Sequence, residues 1–428
     1  MVFALIYPNW DFSGSVYFGC REPHFPLELG YSKALLERAG HRAEIIDAHL
    51  EGLSPSAVRE RVEALSPDFI VVTTAPGYLF WRCPQPELRV PMLLLRSLQD
   101  MEARKVVVGP HCSVTPAAAL KKLGADIAVM GEPETVLAEL AEKGLPDIKS
   151  ISYKTSSGIK AQAGPRATDM SMLPAVKWPA EYIERHKHHH HRFGACTDGP
   201  GADVEASRGC PYSCTFCAKR EFRNNYRRRP LPVVLEEIDR LISNGVEYVY
   251  FIDEIFMPDR KLLEALSNRN ISFGIQTRID LWKPEMLELL GAAGCVSIEA
   301  GIESVTEEGR ALLGKRCSAT TIELVNLLAA AKKGVQFVQS TLLNAHTDSP
   351  EAVEEWRSRL LDAGVWANRP VPLFPYPGSE EYSRRWGEPD DNAWERAHDY
   401  YINANRSFSD IQDDRPAAMK ELEEYESN

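Results

Sequence analysis

The chain has 428 residues, of which 44% are hydrophobic and 26% charged, so it is long enough for two or three domains and is neither a disordered chain nor a small scaffold. Its formal charge of −12, from 61 acidic and 49 basic residues, argues against nucleic acid as a partner. No stretch reaches the ~18 apolar residues of a membrane span, and the start MVFALIYPNWDF lacks the basic flank of a secretion signal, so we expect a cytoplasmic protein that contacts no membrane.

Residues 2–145 alternate short apolar runs with amphipathic stretches. The apolar runs include VFALIY, AEIID, FIVVTTA, KVVVG and DIAVMG, and LELGYSKALLERAG is one of the helical stretches between them. This alternation predicts a Rossmann-like α/β domain over residues 1–147, with a doubly wound parallel sheet and helices on both faces. Ligands of such sheets bind beyond the carboxyl ends of the strands, where this chain has Thr73, Thr74, Gly109, His111 and Glu132.

The periodicity fades over residues 148–200, which are predicted to form a hairpin and then a proline-punctuated linker. From 201 to 375 strand-like runs return, among them DVEAS, EYVYFIDE, ISFGIQTR, CVSIEAG and VQFVQSTLL, with amphipathic helices between them. Repeated strand–helix units of this total length predict a complete or partial (β/α) barrel. Residues 376–428 are predicted to be mostly helical and to close over one end of the barrel.

Three of the nine cysteines, Cys210, Cys214 and Cys217, fall within the string RGCPYSCTFCAKR. An odd count with a tight triplet does not form a disulfide framework. Three thiolates on one loop can hold three irons of a four-iron cluster and leave the fourth iron without a protein ligand. The alternative is a zinc knuckle, in which Cys214 and Cys217 pair with Cys196 or a nearby histidine. The place of the triplet, after the first barrel strand, favours the cluster.

This cysteine loop, with Phe216 before its last cysteine, resembles that of the radical S-adenosylmethionine (SAM) superfamily. The resemblance implies that SAM chelates the open iron and is cleaved to a 5′-deoxyadenosyl radical. It also implies SAM-binding residues on the cluster loop and at successive strand ends: Tyr212, Phe216, Asp253, Glu254, Gln276, Arg278, Glu299 and Ser304. In that scheme Asp253 and Glu254 receive the ammonium group of SAM and Arg278 pairs with its carboxylate. Structural ion pairs are the alternative for Arg278 and for Glu303.

A Rossmann-like sheet followed by a barrel is also the layout of cobalamin-binding radical SAM enzymes, and VVVGPH, VMGEPE and the PYPG turn at 375–378 resemble loops of that subclass. The resemblance makes cobalamin a candidate cofactor that the reaction need not require. Residues 47–52 spell Asp-x-His-x-x-Gly, a signature whose histidine ligates cobalt in other cobalamin proteins. That signature belongs after the first strand of the domain, whereas Asp47 ends the second, so we predict that His49 does not bind cobalt.

Two further segments are rich in basic side chains. The string ERHKHHHHRF contains His188, His189, His190 and His191, which are either a solvated strip or a lining of imidazoles for a hydroxyl-rich substrate. Together with Tyr212 and Tyr376 of the PYPG turn, they are predicted to form the walls of the substrate pocket. Arg227, Arg228 and Arg229 are predicted to be a solvated or phosphate-contacting face.

The whole pattern, including YFGCREPH, YLFWRCP and FIDEIF, is similar to the radical SAM dehydratases of aminoglycoside biosynthesis. That resemblance implies a lyase that removes a ring hydroxyl from a sugar or aminoglycoside such as paromamine, with an electron donor and an NAD(P)H-dependent reductase as partners. The alternative is a cobalamin-dependent methyltransferase acting on an unactivated carbon. A third reading, an RNA-directed methylthiotransferase, fits neither the acidic chain nor the short tail after Asp410.

Overall fold

The computed structural model describes residues 1–17, 21–77, 84–186, 199–218, 223, 225–343, 347–404 and 415–424. Two large sheets, each with helices packed against it, a two-stranded sheet and a helical tail make up most of these residues, which is the α/β class that the sequence predicts. No helix within the described residues is both long enough and apolar enough to cross a bilayer.

The amino-terminal part, here called the front domain, is built on a seven-stranded sheet in the order β2-β1-β3-β4-β5-β6-β7. Its first five strands in that order are parallel, and β6 and β7 are antiparallel. The strands are β1 (Val2–Tyr7), β2 (Arg42–Asp47), β3 (Phe69–Thr73), β4 (Arg104–Val108), β5 (Ile127–Val129), β6 (Ile151–Thr155) and β7 (Gly158–Gln162).

Helices cover both faces of this sheet, so its central strands are apolar on both sides. Ala4 and Ile6 of β1 pack on one face, and Phe3 and Leu5 pack on the other. The helices are α1 (Leu27–Arg38), α2 (Ala48–Glu51), α3 (Pro55–Leu65), α4 (Arg89–Ser97), α5 (Pro110–Val114), α6 (Pro116–Leu123) and α7 (Glu134–Glu142).

The hairpin β6–β7 extends the front sheet, so the predicted boundary at residue 147 and the assignment of this hairpin to a linker are wrong. β6 pairs with β5, and Ile151 and Tyr153 are buried against the sheet while Lys154 and Thr155 are exposed. An unpaired β5 would leave a row of backbone N–H and C=O groups without partners, and the hairpin satisfies them.

The second sheet has six parallel strands in the order β15-β14-β13-β12-β11-β8, which is the partial (β/α) barrel that the sequence predicts. A short antiparallel pair, β9 with β10, lies in the segment that follows β8. The strands are β8 (Gly201–Val204), β9 (Ser207–Arg208), β10 (Arg227–Arg228), β11 (Tyr248–Phe251), β12 (Ser272–Thr277), β13 (Cys295–Glu303), β14 (Phe337–Leu342) and β15 (Trp366–Ala367).

One face of the barrel sheet packs against helices, and the other carries more polar side chains. Val249 and Phe251 of β11 join the main core, while Tyr248 and Tyr250 alternate with them on the opposite face. The barrel helices are α8 (Ala180–Arg185), α9 (Leu231–Ser243), α10 (Arg260–Leu266), α11 (Pro284–Ala292), α12 (Glu307–Leu312), α13 (Thr321–Lys332) and α14 (Pro350–Asp362).

The tail is helical, with α15 (Glu380–Trp386), α16 (Ala393–Ala404) and α17 (Met419–Glu423). It packs on the front domain as well as on the barrel, which is more than the predicted cover over one barrel end. The Trp394 indole donates to the Thr115 hydroxyl of the front domain at 3.0 Å. At the other side, the Glu381 amide donates to the carbonyl of Thr215 at 2.9 Å.

Candidate active site

The loop after β9 carries Cys210, Cys214 and Cys217, all partly exposed. Backbone bonds hold it in place: the Cys210 amide donates to the Arg223 carbonyl at 3.1 Å, and the Cys217 amide to the Cys214 carbonyl at 3.2 Å. Within the described part of the chain, no three His, Cys, Asp or Glu side chains converge on a position for a single metal ion. Three thiols on one loop can hold three irons of a four-iron cluster.

Charged side chains gather around Cys214. Burial raises the pKa of the Cys214 thiol, and the charges of Lys315 and Arg278 oppose that rise. Lys315 is buried and its ammonium lies 2.9 Å from a carboxylate oxygen of Glu303, at the end of β13. Glu303 is thus a structural ion pair, the alternative considered for it, and Lys315 keeps positive charge beside the thiolates.

Arg278, predicted to pair with the SAM carboxylate, makes several contacts with the protein. Its Nε and Nη2 groups donate to Asp280 at 3.2 and 2.7 Å, and Nη1 donates to the Lys315 carbonyl at 2.5 Å. Its guanidinium lies 4.0 Å from the ring centroid of Tyr212. A buried guanidinium needs such partners, and these contacts hold Tyr212 and the 315–316 segment around the cluster loop. The predicted pairing of Arg278 with the SAM carboxylate stays a prediction.

Asp253 and Glu254 hold the segment in front of Cys210. The Glu254 carboxylate accepts a bond from the Gly209 amide at 2.6 Å, and Asp253 accepts from the Ala206 amide at 2.9 Å and from the Ser207 hydroxyl. Burial raises the pKa of Asp253 to about 7. These bonds show that both carboxylates position the loop. Their predicted contact with the SAM ammonium stays a prediction.

The remaining strand-end residues divide into two groups. Gln276 and Glu299 are register partners on β12 and β13, and the Gln276 side-chain oxygen is buried with no hydrogen-bond partner among the described residues. An unpartnered buried acceptor is costly unless a ligand satisfies it, so Gln276 fits a SAM-binding role. Ser304 is fully buried and donates to Asp348 at 2.7 Å, which fixes the turn after β13. Its predicted SAM contact stays a prediction.

A buried ion network joins the front domain to the cluster loop. Glu132 and Glu134 follow β5 and are 0% exposed, and Arg208, two residues before Cys210, bonds to both of them at 3.2 and 2.6 Å. Arg227 also binds Glu132, at 2.5 Å.

The predicted solvated face at residues 227–229 is therefore wrong for two of its three arginines. Arg229 is buried and binds Glu237 at 2.9 Å, and Arg227 binds Glu132 of the front domain. Only Arg228 is largely exposed, and it pairs with Asp259 at 2.6 Å. Local sequence cannot show this, because the front-domain partner of Arg227 lies about ninety residues away in the chain.

Comparison with known families assigns both domains. Residues 20–141 match the B12 binding domain model, and residues 204–359 match the radical SAM superfamily model. The chain contains a B12-binding domain and a radical SAM domain. It is an enzyme of the radical SAM class, with a 4Fe–4S cluster and SAM as cofactors.

Several curated relatives span most of this chain. An uncharacterized methyltransferase of Pyrococcus horikoshii is 24% identical over 83% of this chain and 77% of its own length. The anaerobic magnesium-protoporphyrin IX monomethyl ester cyclase of Cereibacter sphaeroides is 24% identical over 87% of this chain and 63% of its own length. The chain thus spans less than two thirds of the cyclase.

Solved structures share the fold of both domains together. TsrM from Kitasatospora setae, a radical SAM methyltransferase solved with cobalamin and a 4Fe–4S cluster, superposes with a TM-score of 0.69 at 16% identity, over 89% of this chain and 73% of TsrM. OxsB, a cobalamin-dependent radical SAM enzyme solved with aqua-cobalamin, gives 0.66 at 17% identity, over 89% of this chain and 54% of OxsB.

The B12-binding domain offers a polar atom where its ligand would bind. The Thr73 hydroxyl, at the carboxyl end of β3, is buried and has no hydrogen-bond partner among the described residues. His111 follows β4, and burial lowers its pKa to about 3, so its imidazole is neutral at pH 7. A neutral histidine and an unpartnered hydroxyl beyond the strand ends can form hydrogen bonds with the polar groups of a bound cobalamin.

The Asp-x-His-x-x-Gly signature lies at the edge of the sheet, after β2, as the sequence argument requires. Asp47 caps α2 by accepting from the Leu50 amide at 2.9 Å and accepts from the Tyr182 hydroxyl at 2.6 Å. His49 contacts the Arg21 carbonyl at 3.2 Å, and burial lowers its pKa to about 4. These residues therefore have structural partners.

We expect His49→Ala to leave cobalamin affinity and its absorption spectrum unchanged, because His49 follows the edge strand and its ring bonds to the protein. Titration of the anaerobic protein with hydroxocobalamin, followed by absorption and electron paramagnetic resonance, measures both. A change from a nitrogen-ligated to an unligated cobalt spectrum in the variant would contradict this placement.

Glu28 of α1 is a buried acid beside the ion network. Burial raises its pKa to about 7, and Arg208 opposes this effect. Since the folded chain binds the proton more tightly than the unfolded chain, the stabilisation is full below pH 4.5 and is lost as pH rises through 7, by roughly 3 kcal/mol. Glu28→Gln should remove that part of the pH dependence. Unfolding free energies at pH 5 and pH 8 test this, and equal slopes in both proteins would refute it.

Only part of the predicted substrate pocket lies within the described residues. His188–His191 lie outside the described residues. Tyr376 is 4% exposed and packs in the tail core, with its ring 4.5 Å from Phe374 and 6.5 Å from Trp394. Burial in this aromatic cluster stabilises its ring, and the predicted role of Tyr376 as a wall of the substrate pocket stays a prediction.

Sequence reasoning missed Arg208, Lys315 and Asp348. Arg208 and Asp348 have partners in other strand–helix units, and Lys315 pairs with Glu303 twelve positions before it, so no spacing rule identifies them. The sequence does hold one local indication of the Arg208 ion network. The acidic pair in GEPE and the arginine in SRGC both come soon after apolar strands, where an unpaired charge would be buried.

Proposed function

We propose that this protein is a cobalamin-dependent radical SAM methyltransferase acting on an unactivated carbon. The main observation behind this proposal is the contact of Glu132 and Glu134 with Arg208. It brings the carboxyl edge of the B12-binding sheet against the cluster loop. Ligands of such sheets bind at that edge. A methyl carrier and the SAM-cleaving cluster would therefore face one substrate.

The relatives support methyl transfer rather than loss of a hydroxyl. The archaeal relative and TsrM are methyltransferases by name, whereas dehydration of an aminoglycoside has no such support. When bound, the cluster supplies the electron that cleaves SAM, and cobalamin carries a methyl group. The chain's own part is to hold the cluster through Cys210, Cys214 and Cys217, to keep Lys315 beside them, and to offer Gln276 as an acceptor.

The substrate we propose is a small polar molecule. The barrel sheet face opposite the helices carries Gln276 and Glu299, which are only partly buried and form a polar surface that suits a hydroxylated ring better than a lipid. A sugar or aminoglycoside belongs to that class. An electron donor remains a required partner for the cluster, whereas a reductase acting on the product belongs to the dehydration alternative.

Anaerobic reconstitution with iron, sulfide and hydroxocobalamin tests the proposal. We expect about four irons per chain and corrin absorption bands. With SAM labelled in its methyl group and a strong reductant, S-adenosylhomocysteine should form in proportion to bound cobalamin, and an accepted substrate should gain the labelled methyl mass alongside 5′-deoxyadenosine. The Cys214→Ala protein is the control for cluster-dependent products.

Paromamine is a suitable first substrate, since it separates the two readings by mass. A product that loses one oxygen without added cobalamin would overturn the methyltransferase proposal and restore dehydration. Absence of both corrin bands and S-adenosylhomocysteine would overturn it without any substrate.

A further inference from the structure

We propose that Glu132 and Glu134 are positioning residues that couple the B12-binding domain to the cluster loop, so that occupancy of the cobalamin site changes the affinity for SAM. The inference rests on one contact between the domains. The fully buried carboxylates of Glu132 and Glu134 in the B12-binding domain pair with Arg208, which precedes Cys210 in the radical SAM domain. The cobalamin half of this inference rests on the proposed function.

Arg208 is the centre of the bridge. It is 2% exposed, and its guanidinium binds Glu134 at 2.6 Å, Glu132 at 3.2 Å and Glu205 at 2.8 Å. The ring of Tyr31, from α1, lies 5.4 Å from the guanidinium carbon. One side chain is therefore fixed by two carboxylates of the front domain and one of the barrel.

On the cluster side the bridge reaches the first cysteine by two routes. Arg208 connects through Gly209 to Cys210 along the backbone, and Gly209 is held by Glu254. Arg223, also buried, lies 3.4 Å from Glu132 and contacts Glu254, and its carbonyl accepts the Cys210 amide. A displacement of Glu132 would therefore move both supports of the loop.

On the sheet side the bridge begins at the ligand-binding edge. The Gly131 amide donates to Ser113 in the segment after β4 at 2.9 Å. Thr168 holds both carboxylates, with its amide 2.7 Å from Glu132 and its hydroxyl 2.9 Å from Glu134. A ligand bound beyond the carboxyl ends of β4 and β5 would contact the segment that carries Gly131 and Glu132.

A buried network of this kind transmits displacement because its charges are desolvated and their geometry is narrowly constrained. By thermodynamic linkage, any effect of bound cobalamin on SAM affinity equals the effect of bound SAM on cobalamin affinity. The bridge therefore predicts a reciprocal coupling that vanishes when its charges are removed.

The experiment measures the dissociation constant of SAM by equilibrium dialysis on protein with an oxidised cluster, so that SAM is not cleaved, with and without saturating hydroxocobalamin. In the wild type we expect the two constants to differ by about fivefold or more. In Glu134→Gln, with iron and corrin content retained, the ratio should fall to about one. Glu237→Gln is the matched control, since Glu237 is equally buried and binds Arg229 at 2.9 Å without contacting Arg208.

A wild-type ratio of one, or an unchanged ratio in Glu134→Gln, would overturn the coupling while leaving the methyltransferase proposal intact. If Glu134→Gln does not fold, Arg208→Lys keeps the charge but loses the forked geometry, and it should lower the ratio. If the wild type binds no cobalamin, the proposed function fails. The positioning role is then tested by SAM affinity without cobalamin. Glu134→Gln should weaken SAM binding several-fold relative to Glu237→Gln, and equal affinities in the two variants would overturn the positioning role.

Discussion

Replacing any one of Cys210, Cys214 and Cys217 with alanine should remove most of the iron and abolish SAM cleavage. Each thiolate holds one iron, so losing one leaves two irons of the cluster without protein ligands. The fold should survive, because these side chains are partly exposed and the loop is held by backbone bonds and by Thr215, whose hydroxyl donates to Glu381 at 3.0 Å. Iron and sulfide analysis, with chromatography of 5′-deoxyadenosine, measures the effect.

Cys295→Ala and Cys317→Ala are the matched controls and should keep full iron content. Cys295 is buried in β13, where burial raises the pKa of its thiol, and its sulfur donates to the Ser297 carbonyl at 3.4 Å. The Cys317 thiol donates to the Ala319 carbonyl at 3.7 Å. Undiminished 5′-deoxyadenosine formation by Cys214→Ala would refute the cluster assignment.

The strands of both sheets were predictable because their signal is local. FIVVT of β3 is buried at every position, so its continuous apolar run marks a central parallel strand covered on both faces. The hairpin at 151–162 gave no such signal. ISYKT alternates and then becomes polar, and only its pairing with β5 decides that it belongs to the front sheet.

The cluster loop was predictable for the same reason, since three ligands within eight positions define it. The side chains around it were not, because charged residues are placed by partners distant in sequence. Arg278 binds the carbonyl of Lys315, and Arg208 binds Glu132 across 76 positions. A strand-end position shows that a residue lies near the site, and only the partner shows whether it is free for a ligand.

Gly209→Ala should empty the cluster site and destabilise the protein, although position 209 holds no ligand. Gly209 has φ of +77°, and a Cβ there would lie 2.2 Å from the Asn225 carbonyl oxygen and 2.8 Å from that of Arg223. Both obstacles are backbone atoms, so the loop itself must shift. That shift would break the bond from the Gly209 amide to Glu254 and the one from Cys210 to Arg223.

Gly245→Ala separates this clash from the cost of the left-handed backbone. Gly245, just past the end of α9, has φ of +83°, and its Cβ would meet no atom within 4 Å. Its substitution should therefore cost only about 1–2 kcal/mol and leave iron content unchanged. We expect Gly209→Ala to lose most of its iron and to show the larger fall in Tm by calorimetry of the reconstituted proteins. Equal iron content in the two variants would mean that the loop tolerates displacement, and that the backbone around Gly209 does not fix the cysteines.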